Sequence, residues 1–235
     1  MNSYHSTRSR AVSCTAKEAI RTGIAPDGGL VSDALGSEKL DVTGLAEQSY
    51  ADIANSVLQL LLPDYTADEI AACVHEAYDG TFASAEVTPL VPLVGHEAEE
   101  GGQPFVLELF HGPTSAFKDV ALQMLPRLMA RTGSASDTPA ESIMIVTATS
   151  GDTGKAALAG FADAPGTGIT VFYPEGKVSR VQELQMTTQT GDNVSVCGVR
   201  GNFDDAQSAV KRIFADRELA ERLAERGVVL SSANS

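Results

Sequence analysis

From Ser142 onward, short apolar runs alternate with helix-length stretches in a regular way. The runs at 142–147, 169–173, 194–199 and 228–230 are of strand length and rich in Val and Ile. Between them lie segments with helical spacing: one ending at Ala162, one from Ser179 to Thr190, and one from about Asp204 to Arg226. A helix in every connection predicts parallel strands with right-handed crossovers, and continuous apolar runs predict a sheet covered on both faces. Ligands of such doubly wound sheets bind beyond the carboxyl ends of the strands. The loops at 148–154, 174–178 and 200–204 are therefore the places to look for chemistry.

The first hundred residues follow a helical period instead. A short helix is predicted over Thr15–Thr22. A longer one runs from Thr43 to Leu62 on Leu45, Tyr50, Ile53, Val57, Leu58, Leu60 and Leu61, and Pro63 stops it. Thr66 and Glu69 form a capping box ahead of a third helix carrying Ile70, Cys73, Val74 and Tyr78. His75 on that helix has no nearby Cys or His and reads as a polar or core-edge residue, not a metal ligand. Around the first of these helices, over residues 1–40, the chain is read as polar turns, with Pro26-Asp-Gly-Gly29 as a strong turn signal. After them, prolines, glycines and the acidic run 97–100 lead to a short strand, Phe105–Leu109. A helix from Asp119 to about Arg131 follows, broken or kinked at Pro126. The expected fold class is α/β: a mainly helical region, 1–102, then an α/β region, 103–235, built on a parallel doubly wound sheet.

Composition narrows the partners. Seventeen Lys and Arg against 31 Asp and Glu give a formal charge of −14, and no local basic patch is present, so a nucleic acid would be repelled. Cys14, Cys73 and Cys197 are odd in number and far apart, with no metal-type spacing; they are expected to be reduced, small and buried. No run of eighteen apolar residues and no signal-type segment occurs, so a cytoplasmic protein, not a membrane one, is expected.

Three stretches carry candidate chemistry. Lys118 follows a Gly112-Pro113 turn and opens an apolar helix; between Asp33 and Phe117 the only other Lys or Arg is Lys39. An ordinary helix-start lysine keeps its head in water. A nucleophilic one needs its neutral form, which burial beside residues such as Phe117 favours and a close carboxylate such as Asp119 opposes. Thr149-Ser-Gly-Asp-Thr-Gly154 places hydroxyls and glycines between a strand and a helix start, which makes an anion site. A nucleotide P-loop is excluded by spacing, since it would need Gly at Thr149 and Ser or Thr at Ala156. In Tyr173-Pro-Glu-Gly-Lys-Val-Ser-Arg-Val-Gln182, Ser179 and Gln182 fit a capping box and Lys177 is a point cation beside the helix start.

Taken together, these stretches and the N-terminal Ser6-Thr-Arg8 and Ala25-Pro-Asp-Gly-Gly-Leu30 resemble the motifs of threonine synthases. Those are pyridoxal-phosphate enzymes of the fold-type-II, tryptophan-synthase-β-like family. The resemblance implies that Lys118 holds pyridoxal 5′-phosphate as a Schiff base, with Phe117 and Asp152 beside the cofactor. It implies that Thr149, Ser150, Gly151, Thr153 and Gly154 hold the amino-acid carboxylate and that Lys177 meets the substrate phosphate. The implied reaction converts O-phospho-L-homoserine and water to L-threonine and phosphate in a monomer or homodimer. Family members continue with a further portion that carries the loop for the cofactor phosphate and the residue facing the pyridine nitrogen. The chain is thus expected to be a truncated fold-type-II enzyme, inactive by itself. The alternatives are another fold-type-II lyase, such as a serine/threonine dehydratase or phospho-lyase, and a non-catalytic anion-binding module.

Overall fold

A computed structural model describes residues 4–33, 39–95, 101–133 and 142–233. The stretch expected as polar turns contains a small antiparallel sheet, ordered β2-β1-β3, of β1 (Tyr4–Ser6), β2 (Ser13–Cys14) and β3 (Val31–Asp33). The Pro-Asp-Gly-Gly turn locks onto it: Asp27 accepts from the Ser6 hydroxyl at 2.7 Å and from Gly29 N at 2.9 Å. Those two hydrogen bonds hold the Asp27 carboxyl below the usual carboxylate range.

Helix α1 (Ala16–Thr22) starts on a Thr15/Glu18 capping box. The single helix expected over 43–62 is divided. One short turn, α2 (Val42–Leu45), ends before Ser49, and Ser49 caps α3 (Tyr50–Leu61) by accepting from Asp52 N. Helix α4 (Ala67–Tyr78) begins on the expected Thr66/Glu69 box. Its Ile70, Cys73, Val74 and Ala77 pack against Ala16, Leu62 and Tyr65, while His75 faces out and pairs with Asp79. Only Cys73 among the cysteines is buried; Cys14 is half-buried and Cys197 is exposed, so the expectation that all three are buried is corrected.

The strand at 105 stands apart from the parallel sheet. As β5 (Phe105–Leu107) it pairs antiparallel with β4 (Leu90–Pro92) in a ribbon whose residues are all exposed. The acidic run 97–100 and most of the loop before 142 lie outside the described residues. Helix α5 (Asp119–Ala130) runs through Pro126 without breaking. Pro126 has no N–H to give the Leu122 carbonyl four residues earlier, and that oxygen instead faces Gly160.

The sheet consists of β6 (Ser142–Ala148), β7 (Thr167–Pro174), β8 (Val194–Val199) and β9 (Val228–Ser231), all parallel, in the order β8-β7-β6-β9. Helices α6 (Asp152–Phe161), α7 (Arg180–Thr187), α8 (Phe203–Ala215) and α9 (Arg217–Ala224) make the connections. The single helix expected up to Arg226 is cut at Asp216, whose carboxylate caps α9 through Leu219 N at 3.0 Å. Alternate residues of β6 face opposite ways. Ile143 and Ile145 pack with α5 and α6, whereas Val146 and Ala148 pack with Ala206 and Val210 of α8. Both faces are covered at β6, as its continuous apolar run requires, whereas on the edge strand β8 Ser195 and Cys197 stay exposed. The chain order reverses direction across β6, with β7 on one side and β9 on the other, so the carboxyl end of β6 is the switch point where such sheets bind ligands.

Helices α5 and α6 touch through backbone. A methyl group added at Gly160 would fall on the Leu122 carbonyl oxygen. Gly160→Ala is therefore expected to destabilise the protein by about 1–3 kcal/mol despite the better helix propensity of alanine. At roughly 2–4 °C per kcal/mol for a chain of this size, the melting temperature should fall by several degrees. An unchanged melting temperature would show that the two backbones are not in contact.

Candidate active site

Residues 111–118 fold around a single carboxylate. Asp119 is fully buried and accepts from Thr114 N at 2.9 Å, from the Thr114 hydroxyl at 2.7 Å and from Ala116 N at 3.2 Å. Gly112 is needed because a β-carbon there would overlap the Asp119 side chain. Ser115 adopts a φ of 57°, and His111 Nε2 lies 2.7 Å from Glu108 Oε2 at the entrance to the turn. The result sets Lys118 at the N-cap of α5, half-buried, with its Nζ 4.9 Å from the centre of the Phe117 ring. Phe117 is 56% exposed, so it shields one side of the amine only. The Asp119 carboxylate is engaged by the turn instead of lying beside the amine.

The loop 149–154 is braced by its own threonine. Thr149 is 2% exposed, and its hydroxyl accepts from Gly151 N and Gly154 N, each at 2.9 Å. Gly151, at a φ of 137°, is the N-cap of α6 and has no side chain of its own; of the first-turn amides Thr149 takes that of Gly154, and the positive end of the helix still favours an anion. A β-carbon at Gly151 would strike the Gln182 amide, and one at Gly154 would strike Thr149 and Val171. Ser150 and Asp152 are exposed; Thr153 is half-buried.

The third loop reaches the second through an amide. Ser179 caps α7 as expected, but Gln182 does not close the box: its Nε2 donates to Asp152 Oδ1 at 2.8 Å and its Oε1 accepts from Ser179 at 3.0 Å. Lys177 is exposed at the edge of this arrangement.

One cavity of about 610 Å³ joins the first two loops. Lys118 and Thr153 both line it, with Tyr50 and Val57 of α3 and Val120 and Leu125 of α5 among its walls, and Ala233 just past β9. Among the described residues, Lys118 is the one charged side chain on this lining. Tyr50 and Tyr78 meet edge to face there, 5.0 Å between centroids, and burial pushes both phenols above their ordinary range. Ser150, Asp152 and Lys177 are not part of the lining. Sequence reasoning missed the bracing by Asp119, the Gln182–Asp152 bond and the tyrosine wall. The signal for the first was a carboxylate starting a buried helix five residues after a threonine.

Residues 82–232 match the family model described as pyridoxal-phosphate dependent enzyme. The chain belongs to that family. Residues 3–78 match a second model, described as the threonine synthase N terminus. Among relatives of the same family, threonine synthase of Schizosaccharomyces pombe is 39% identical over 229 residues, covering 94% of this chain and 43% of its own. Threonine synthase of Pseudomonas aeruginosa is 39% identical over 220 residues, covering 91% and 44%. A PLP-bound threonine synthase from Brucella melitensis superimposes with a TM-score of 0.84 at 39% identity, covering all of this chain and 48% of that one. The chain thus spans less than half the length of the relatives it matches.

The residues present suit the family's cofactor at its aldehyde end. A primary amine stands on the lining of a largely apolar cavity whose volume falls within the roughly 300–1,000 Å³ usual for small-molecule sites. A hydroxyl in the first turn of a helix, Thr153, stands on the same lining.

Proposed function

We propose that the whole protein is a threonine synthase, converting O-phospho-L-homoserine and water to L-threonine and inorganic phosphate. The observation that carries this reading is the shared cavity: Lys118 and Thr153 belong to separate loops and meet on one apolar-walled space. The relatives that match over nearly the whole of this chain, and the N-terminal model, support the choice among enzymes of the family.

Pyridoxal phosphate, when bound, supplies the electron sink that makes the substrate's carbon-bound hydrogens acidic. Lys118 would hold it through its amine, and the same amine would carry protons to and from the substrate carbons as general acid and base. Its place at the N-cap of α5 brings the amine to the cavity, whose walls from α3 and α5 are apolar. In this reading Thr153, Ser150 and Gly151, at the positive end of α6, hold the substrate carboxylate, and Thr149 and Gly154 keep that loop in shape. Asp152 would meet the cofactor ring hydroxyl, Phe117 would flank the cofactor, and Lys177 would meet the departing phosphate as a point charge. The division near 102/103, separating the helical region from the region that carries Lys118, belongs to the same proposal.

The test is to supply the whole protein with pyridoxal phosphate and O-phospho-L-homoserine and to measure phosphate and threonine together. Equal amounts of both are expected, at a turnover in the ordinary range of roughly 1–10³ s⁻¹. Phosphate without threonine would assign a phospho-lyase instead, and ammonia from serine or threonine a dehydratase.

A further inference from the structure

Lys155 lies in the first turn of α6, and its side chain is only 9% exposed. Two physical costs attach to that position. An ammonium there is withdrawn from water, and it stands at the positive end of a helix, where a cation is disfavoured. Its neighbours Ala156, Ala157 and Leu158 are fully buried, so an apolar residue would suit the packing as well. What offsets the costs is a pair of contacts to different loops. Lys155 Nζ donates to the Thr114 carbonyl at 3.1 Å, across 41 residues of sequence, and lies 3.3 Å from Asp152 Oδ1.

Both acceptors have a second donor from α7. Gln185 Nε2 reaches the Thr114 carbonyl at 3.2 Å, and Gln182 Nε2 reaches Asp152 Oδ1 at 2.8 Å. Thr114 in turn is gripped by Asp119, the residue after Lys118. A continuous polar chain therefore runs from the loop 149–154, through Lys155, to the turn that delivers the cofactor-facing amine.

We propose that Lys155 is a positioning residue: by holding the Thr114 carbonyl and the Asp152 carboxylate together it sets the aim of Lys118 into the cavity. This rests on the reading of Lys118 as the cofactor's amine given above. Removing the ammonium leaves neither acceptor without a partner, so Lys155→Met should fold, and its effect should appear as lost alignment.

The test uses the whole protein in two arms. Without cofactor, hydrogen exchange is followed at the amides of Thr114, Ala116, Gly151 and Gly154. In Lys155→Met these are expected to exchange roughly tenfold faster, the effect of losing a hydrogen bond to a charged group. On adding pyridoxal phosphate, attachment to Lys118, trapped by borohydride and located by mass spectrometry, is expected to slow by a similar factor. Lys155→Arg, which keeps a cationic donor, should recover part of both. Unchanged exchange and attachment in Lys155→Met overturn the proposal. If the Met variant does not fold, the Arg variant decides: recovery of protection supports the proposal, and an Arg variant as unprotected or as unfolded overturns it. Failure of the unmutated protein to attach cofactor at Lys118 would strike the functional reading alone, because the exchange arm needs no cofactor.

Discussion

Lys118→Ala in the whole protein is expected to abolish covalent attachment of pyridoxal phosphate and to lower phosphate release from O-phospho-L-homoserine by at least about 10³-fold, the scale seen when a nucleophile is deleted. Among the described residues no other amine lines the cavity, so none stands ready to take over. Lys155 is held by Thr114 and Asp152, and Lys177 sits on an exposed loop. The fold should be indifferent to the change. Among the described residues the Lys118 ammonium forms no hydrogen bond or ion pair, and its ring neighbour is Phe117, 4.9 Å away. Losing it should move stability by no more than about 1 kcal/mol, because no hydrogen bond or ion pair is broken. The decisive measurement is borohydride trapping followed by peptide mapping, with thermal unfolding as control. An adduct at another lysine, or full phosphate release by the alanine variant, would remove the amine from its assigned role.

The largest stability effect is expected at Asp119. Its carboxylate is fully buried and satisfies two backbone N–H groups and a hydroxyl of the turn before it. Asp119→Ala leaves those donors buried with no acceptor, each at a cost of about 1–3 kcal/mol, less whatever relaxation admits water. A net loss of about 3 kcal/mol is expected, or roughly 6–12 °C in melting temperature for a chain of this length. Cofactor attachment should fall as well, because the turn that delivers Lys118 loses its brace. Asp119→Asn keeps one acceptor oxygen and should lie between the two. Thermal unfolding with exchange at Thr114 and Ala116 checks this. An alanine variant that melts with the parent would show that the turn holds its shape without the carboxylate.

Much of this architecture was readable before any coordinates. Continuous Val and Ile runs separated by helices announce a parallel sheet, because such strands are buried on both faces and need a long crossover. Thr66 with Glu69, and Ser49 or Asp216 three residues before an amide they cap, are local signals, although the last two were overlooked inside longer helical patterns. The N-terminal sheet was not legible, since strands of two or three residues show no period, and β1 pairs with residues well beyond a tight turn on one side and across α1 on the other. Nor was the β4–β5 ribbon seen as such, because one exposed apolar run looks the same whether it joins the main sheet or a separate hairpin. Periodicity reports which face of an element is buried and says nothing about what it meets. For that reason Lys118 and Thr153 were recognisable singly, while the Gln182–Asp152 bond and the reach of Lys155 to Thr114, which depend on how α6 and α7 lie against α5, emerged only from the fold.

The close approach at Gly160 limits how this molecule can open. With the Leu122 carbonyl and the Gly160 backbone against each other, the two helices that carry the amine and the hydroxyl turn share one rigid block. Sliding one helix past the other would drive main chain into main chain, so at this point shear between the amine's helix and the hydroxyl turn's helix is resisted by backbone itself.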